Sequence, residues 1–192
     1  MPYDRDIHHR RSIRLQGYDY AGEGAYFVTI CCKNRECLFG EVIDGAMELN
    51  EAGNMVATVW KDLPARFDNM EFNEFVVMPN HIHGIIVLVC GGTSAARPSR
   101  HLAAQGDHKD RPYGTLPHTL GRIVQAFKSI TTHQYIKGVR CSAWRPFPGK
   151  LWQRNYWEHI IRDESEWATI REYIGNNPAR WAEDQLNPAL VD

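Results

Sequence analysis

Nowhere in its 192 residues does the chain reach the ~18–20 consecutive apolar residues that a membrane span needs. Its opening, MPYDRDIHHRRSIRL, has no apolar run behind the charges, so no secretory signal is expected and a cytoplasmic location is the default. Cysteine is sparse and badly spaced for staples. The five, Cys31, Cys32, Cys37, Cys90 and Cys141, are odd in number and form no CxxC, which argues against both a disulfide framework and a cysteine zinc site. Net charge is also nearly missing, at -1. No internal repeat is visible.

What is present suits one globular domain. Hydrophobic residues make up 43% of the chain, enough for a core without covalent help. The small net charge hides a segregation. From Arg97 to Arg154 there are eleven Lys or Arg against two acids, Asp107 and Asp110, so this stretch is cationic on a chain that is otherwise acidic. Such a stretch can form a basic surface for nucleic acid, or its cations can be spread round the fold and merely solvate it.

Tyr26–Cys32 (YFVTICC) is β-branched and aromatic and predicts a first strand. Leu38–Ile43 reads as a short hairpin return or an irregular link. Asn50 predicts a helix N-cap, with Ala52, Val56, Val59, Trp60 and Leu63 at helical spacing and Pro64 ending the run. Glu74–Met78 and Ile82–Val89 predict two strands joined by the Met78-Pro79-Asn80 turn, hence an antiparallel pair. Residues 91–113 lack periodicity and read as a loop. Leu120, Ile123, Val124, Phe127 and Ile130 mark a second helix with Gly138 as its stop. Leu151–Ile161 reads as a last strand, and Asp163 with Glu166 as a capping box for a third helix ending near Asn177-Pro178. The order is βαββαβ plus a helix, which is the ferredoxin-like or RRM-like α+β plan: an antiparallel sheet with helices on one face and a C-terminal helix added. The organisation expected is a basic arm at 1–24, one domain at 25–182 with its loop, and a tail at 183–192.

His81-Ile82-His83 is the sharpest chemical feature. Residues two apart on a strand point to one face, so both imidazoles project together and can share a divalent metal. Gly84 beside them allows close backbone packing. Histidines at this spacing also arise by chance in a chain with nine. Tyr173 and Asn177 lie one helical turn apart on one face, a phenol and a hard amide oxygen suited to Mg²⁺ or Mn²⁺. Taken alone, each has a plain reading: a tyrosine at the edge of an apolar stripe, and a helix-ending Asn. Tyr156 and Trp157, with Trp152 and Trp144, are interleaved with Arg145, Lys150 and Arg154. Cations beside phosphates and rings beneath unpaired bases suit single-stranded DNA, although a strand core with a solvated flank gives the same pattern.

MPNHIHGIIVL together with LWQRNYWEHIIRDESEWATIREYIGNNPARW resembles the REP-associated tyrosine transposases, single-tyrosine members of the HUH-type superfamily, and YDYAGEGAYFVTICCKNRECLFGEV is similar to their first strand and its approach. The resemblance runs from about Arg11 to Trp181, weakest over 91–113. It implies that His81 and His83 are the metal-binding pair, that Tyr173 in Tyr-Ile-Gly-Asn-Asn-Pro is the nucleophile, and that Asn177 can complete the metal site. It further implies a DNA strand transferase acting on hairpins of single-stranded DNA through a 5′-phosphotyrosine, with Mg or Mn as cofactor. Arg122, Lys128, Arg140, Arg145, Lys150 and Arg154, and Arg10, Arg11 and Arg14 of the arm, are the expected backbone contacts. No membrane partner is expected, and the chain is a monomer or a homodimer. Two other readings compete: a non-catalytic nucleic-acid-binding module on an RRM-like sheet, and a metal-dependent hydrolase of a small phosphoester.

Overall fold

The computed structural model describes residues 23–89 and 119–190. Arg10, Arg11 and Arg14 of the arm and the 91–113 segment lie outside the described residues. The chain is a mixed α/β protein built on one antiparallel sheet. Strands β1 (Gly24–Cys31), β4 (Met70–Val77), β5 (His81–Leu88) and β6 (Trp157–Ile161) lie in the order β4-β5-β1-β6. A separate hairpin of β2 (Gly40–Ile43) and β3 (Ala46–Leu49) is inserted before helix α1 (Glu51–Lys61). Helices α2 (Leu120–Cys141) and α3 (Glu164–Asn176) follow β5 and β6 respectively. Among the described residues no helix is long and apolar enough to cross a membrane.

The sheet has two unlike faces because side chains alternate along each strand. Tyr26, Val28 and Ile30 of β1, with Ile82, Ile86 and Leu88 of β5, turn toward α1 and α2 and form the main core with Val56, Trp60, Ile123, Val124 and Phe127. Gly84 is the point of closest approach. A Cβ there would stand 2.4 Å from the Trp60 ring, so the indole can lie flat on the strand only over a glycine. The opposite face carries a smaller cluster of Phe27, Ile85, Ile161 and Ile174, by which α3 docks.

Local chemistry sets the helix ends. Asn50 caps α1 by accepting from Gly53 N at 2.9 Å, and the Asp163 carboxylate accepts from Glu166 N at 2.9 Å to open α3. Thr119 caps α2. Gly138 does not stop that helix, which continues to Cys141; its missing side chain instead admits the Trp144 ring, 2.3 Å from where a Cβ would be. The last strand is shorter than the aromatic pattern predicts. Leu151 and Trp152 fold into the main core, joined to the end of β1 by an isolated Cys32–Trp152 bridge, and regular pairing begins at Trp157.

Candidate functional site

The Met78-to-His81 turn, closed by Met78 N donating to His81 O at 2.8 Å, starts β5 with His81 already paired to Cys31 of β1. From there the alternation places His81 and His83 on the α3 side of the sheet, both essentially buried. Their Nε2 atoms lie 3.0 Å apart. Asn80 fixes the first ring. Its amide nitrogen donates to Arg35 O at 3.1 Å and Leu186 O at 2.8 Å, which leaves Oδ1 to accept from His81 Nδ1 at 2.8 Å. His81 therefore keeps its proton on Nδ1 and offers a lone pair at Nε2. The Thr29 hydroxyl is hydrogen-bonded to His83 Nδ1 at 2.8 Å from β1.

Tyr173 reaches this pair from α3. Its hydroxyl is 3.3 Å from His83 Nε2, its ring meets His83 and Phe27 edge-on, and it remains 40% exposed. The neighbouring Ile174 is buried and anchors the helix, so Tyr173 is held at the border between core and solvent. Burial, and then the Asp184 charge, raise the phenol's pKa, while a hydrogen bond from the Asn177 side chain pulls it back. Asn177 follows α3 as its C-cap and is buried, and its Oδ1 finds no partner.

Residues beyond Pro178 complete the site. Pro178–Glu183 is a 3-10 turn that lays the Trp181 ring 6.0 Å from the His81 ring. It delivers Asp184, whose Oδ2 is 3.9 Å from His81 Nε2 and is buried without a hydrogen bond. His81, His83 and Asp184 place one ligand atom each within 4.8 Å of one another. Sequence reading had put Asp184 in a tail. Its segment has no helical or strand period, so no spacing rule pointed to it; a carboxylate shortly after the Tyr-to-Pro motif was the only clue.

This arrangement fits a divalent cation. Two imidazole nitrogens bound at right angles to one ion, each at roughly 2.1 Å, would be about 3.0 Å apart. With Nδ1–H facing Asn80, the His81 lone pair points toward its neighbour's ring nitrogen, and two buried oxygens, on Asp184 and Asn177, have no partner. A cation held by the two imidazoles and Asp184 would satisfy the Asp184 oxygen, since buried polar atoms left unpaired are costly. Burial pushes His83 down to about 3 and His81, with His83 beside it, well below the ordinary imidazole value. Both rings are thus neutral ligands at neutral pH.

The same burial predicts acid lability of the metal-free protein. In the unfolded chain both imidazoles charge below pH ~6.5, and in the fold they resist until far lower pH. Stability is then fully present above pH ~6.5 and is lost as pH falls toward 3, the His83 share of that loss being about 2 kcal/mol at pH 5. Urea midpoints recorded in chelator at pH 7 and pH 5 check this. Equal midpoints would show that the rings charge in place.

The expected DNA-contacting cations are dispersed. Arg122 is exposed near the start of α2, within reach of Gln125, and Arg140 stands about 27 Å further along the same helix. Arg145, Lys150 and Arg154 are exposed in the irregular segment before β6. Lys128 is different. Its ammonium donates to Gln153 O at 3.0 Å and Asn155 O at 2.9 Å beneath the Tyr156 ring, and burial lowers its pKa to about 8. It supports that segment from inside. Trp157 is half exposed on the site's face, stacked parallel to His159, which pairs with Glu166 of α3.

No family model matches the chain. In fold it is similar to the structure of a REP-associated tyrosine transposase bound to a REP hairpin. The TM-score is 0.53 over 88% of this chain and 73% of that chain, at 19% identity, so the likeness is one of fold. In sequence it belongs to one family with an uncharacterized protein of Haemophilus influenzae, 45% identical over 184 residues and 96% of both chains.

Proposed function

We propose that this protein is a metal-dependent tyrosine transposase that binds hairpin-forming single-stranded DNA and cuts and rejoins it through a 5′-phosphotyrosine. One observation carries the reading: a half-exposed phenol lies 3.3 Å from one of two imidazole nitrogens that themselves stand 3.0 Å apart beside a carboxylate. The sheet order reads as the ferredoxin-like plan, and the fold neighbour bound to a REP hairpin supports a hairpin substrate.

In this reading His81, His83 and Asp184 hold the ion, with Asn177 Oδ1 a further oxygen donor. Bound Mg²⁺ or Mn²⁺ would polarise the scissile phosphate and offset the charge that builds on its oxygens. Asn80 and Thr29 orient the two rings from behind. Tyr173 Oη attacks phosphorus, an O–P bond forms, the bond to the 3′ oxygen breaks, and that oxygen leaves with its electron pair and takes up a proton. The phenol releases its proton to solvent as it attacks, which balances the one the 3′ oxygen takes up, and the Asn177 hydrogen bond stabilises the attacking phenolate. The phosphotyrosine bond retains the energy of the one it replaced, so a 3′-hydroxyl reverses the step without ATP. The test is direct: labelled hairpin DNA incubated with Mn²⁺ should yield a protein–DNA band that survives denaturation. Its absence across the palindromes flanking the gene would favour a binding module.

Trp157 extends the site along the strand. It pairs with Thr29, which pairs with His83, so the indole lies in the same cross-strand row, about 10 Å from His83 across two strand spacings. A base flanking the scissile phosphate can lie on it. Base–aromatic stacking contributes ~1–3 kcal/mol, so Trp157→Ala should weaken single-strand binding roughly ten- to hundred-fold while Trp157→Phe keeps most of it. Equal affinities for the parent protein and Trp157→Ala in fluorescence anisotropy would remove the platform.

A further inference from the structure

A cleft of about 490 Å³ beside the proposed metal site is lined by Lys33, Asn34, Arg35, Gln153, Arg154 and Asn155. Three of its six lining side chains are cationic, three are amides, and none is acidic. Its walls come from two irregular segments: the turn after β1 and the stretch before β6.

Both walls are built with care. Lys33 N donates to Leu151 O at 2.8 Å and Gln153 N to Cys31 O at 2.9 Å, so the two segments are laced together. The Gln153 side chain is tied to Cys32 O, and the Lys128 ammonium holds the Gln153 and Asn155 carbonyls from below. Asn34 and Arg35 both have left-handed backbone, with φ of 58° and 55°. For residues with a Cβ this costs on the order of 1 kcal/mol each, and it is retained where the surroundings impose it. This left-handed pair turns the chain back on itself, and its side chains line the cleft. Lys33, Asn34, Arg154 and Asn155 are exposed there.

The cleft adjoins the proposed catalytic centre. Arg35 O accepts from Asn80, the residue that orients His81, and Arg35 Nη1 donates to Gln185 O at 2.8 Å, next to Asp184. Cys31, paired with His81 across the sheet, comes just before the turn that carries Lys33 and Arg35.

We propose that this cleft is a second subsite that holds the sugar–phosphate backbone and one base of single-stranded DNA next to the scissile phosphate. Cations there neutralise phosphates, and amides carry both donors and acceptors, which is what the edge of an unpaired base needs. A small anion would not use three amides, and duplex DNA would not enter a cleft of this size. The subsite rests on the strand-transferase reading for its substrate, but it makes its own prediction.

Binding is measured in a Tyr173→Phe protein, so covalent capture cannot contribute, with an oligothymidylate of about 12 nucleotides as probe. Each phosphate contact on a single strand adds about 0.7 to the slope of log affinity against log salt, so adding Lys33→Gln and Arg154→Gln should lower that slope by about 1.4 and reduce low-salt affinity roughly tenfold. Lys137→Gln, on the exposed face of α2, should change neither. An unaltered slope in the double variant, or an equal fall in Lys137→Gln, would overturn the subsite. Displacement of the probe by millimolar inorganic phosphate beyond its ionic-strength effect would overturn it in favour of a free-anion site. Failure of the parent protein to form an adduct would count against the transfer reaction and leave the slope result to decide the cleft.

Discussion

Tyr173→Phe is expected to abolish the denaturation-resistant protein–DNA adduct, by at least about 10³-fold, while hairpin affinity stays within a few-fold of the parent. The substitution removes one oxygen. The ring remains, and with it the edge-on contacts to Phe27 and His83 that seat this part of α3. Ile174 still anchors the helix in the cluster with Ile85 and Ile161. The fold therefore loses only a 3.3 Å contact to His83 and the Asn177 hydrogen bond, both at a partly exposed position. A structural role for Tyr173 would show as a shifted melting temperature with adduct formation intact. A nucleophilic role shows the reverse, and the two cannot be confused. Adduct formation that persisted in the Phe variant would move the nucleophile elsewhere.

The strand periodicity made much of this site legible. His81 and His83 share a face because strands repeat every two residues, and Tyr173 and Asn177 share one because helices repeat near four; such rules need no knowledge of the rest of the chain. The capping residues Asn50 and Asp163 were legible for the same local reason. What escaped depends on irregular backbone. Asp184 arrives through a 3-10 turn, and the partners of Lys128 are two main-chain carbonyls that no side-chain pattern encodes. The β2–β3 hairpin was read only as a return or link, and its second strand was missed. Its strands are four residues each, too short for alternation to stand out, yet Asp44-Gly45 carries the signal of a tight hairpin turn. Both residues have positive φ, at 50° and 77°, as that turn requires. The segment before β6 misled for a different reason. Aromatic and branched residues there suit a strand, but Leu151 and Trp152 are consumed by the core, where the Trp152 indole donates to Thr131 Oγ1 at 2.9 Å.

The second large effect concerns the ion. His81→Ala with His83→Ala should lose Mn²⁺-dependent adduct formation by on the order of 10³-fold, since a metal supplies several kcal/mol of charge stabilisation in phosphoryl transfer. Chelator should do the same to the parent protein, and added Mn²⁺ should restore the parent but not the double variant. Alanine opens a cavity at two buried positions, so lost folding is a competing cause. His83→Asn separates the two: it keeps a polar group facing Thr29 but cannot place a nitrogen where Nε2 was. Asp184→Asn is the sharper probe of the third ligand, because it preserves shape and removes only charge. If Asp184 completes the site, the Asn variant should need more than tenfold more Mn²⁺ for half-maximal cleavage, with activity recovered at saturation. Asp184 also raises the Tyr173 pKa, so if its role were only electrostatic toward the phenol, the variant would cleave faster at neutral pH with an unchanged metal requirement. The direction of the change therefore tells whether that carboxylate serves the metal or opposes the nucleophile.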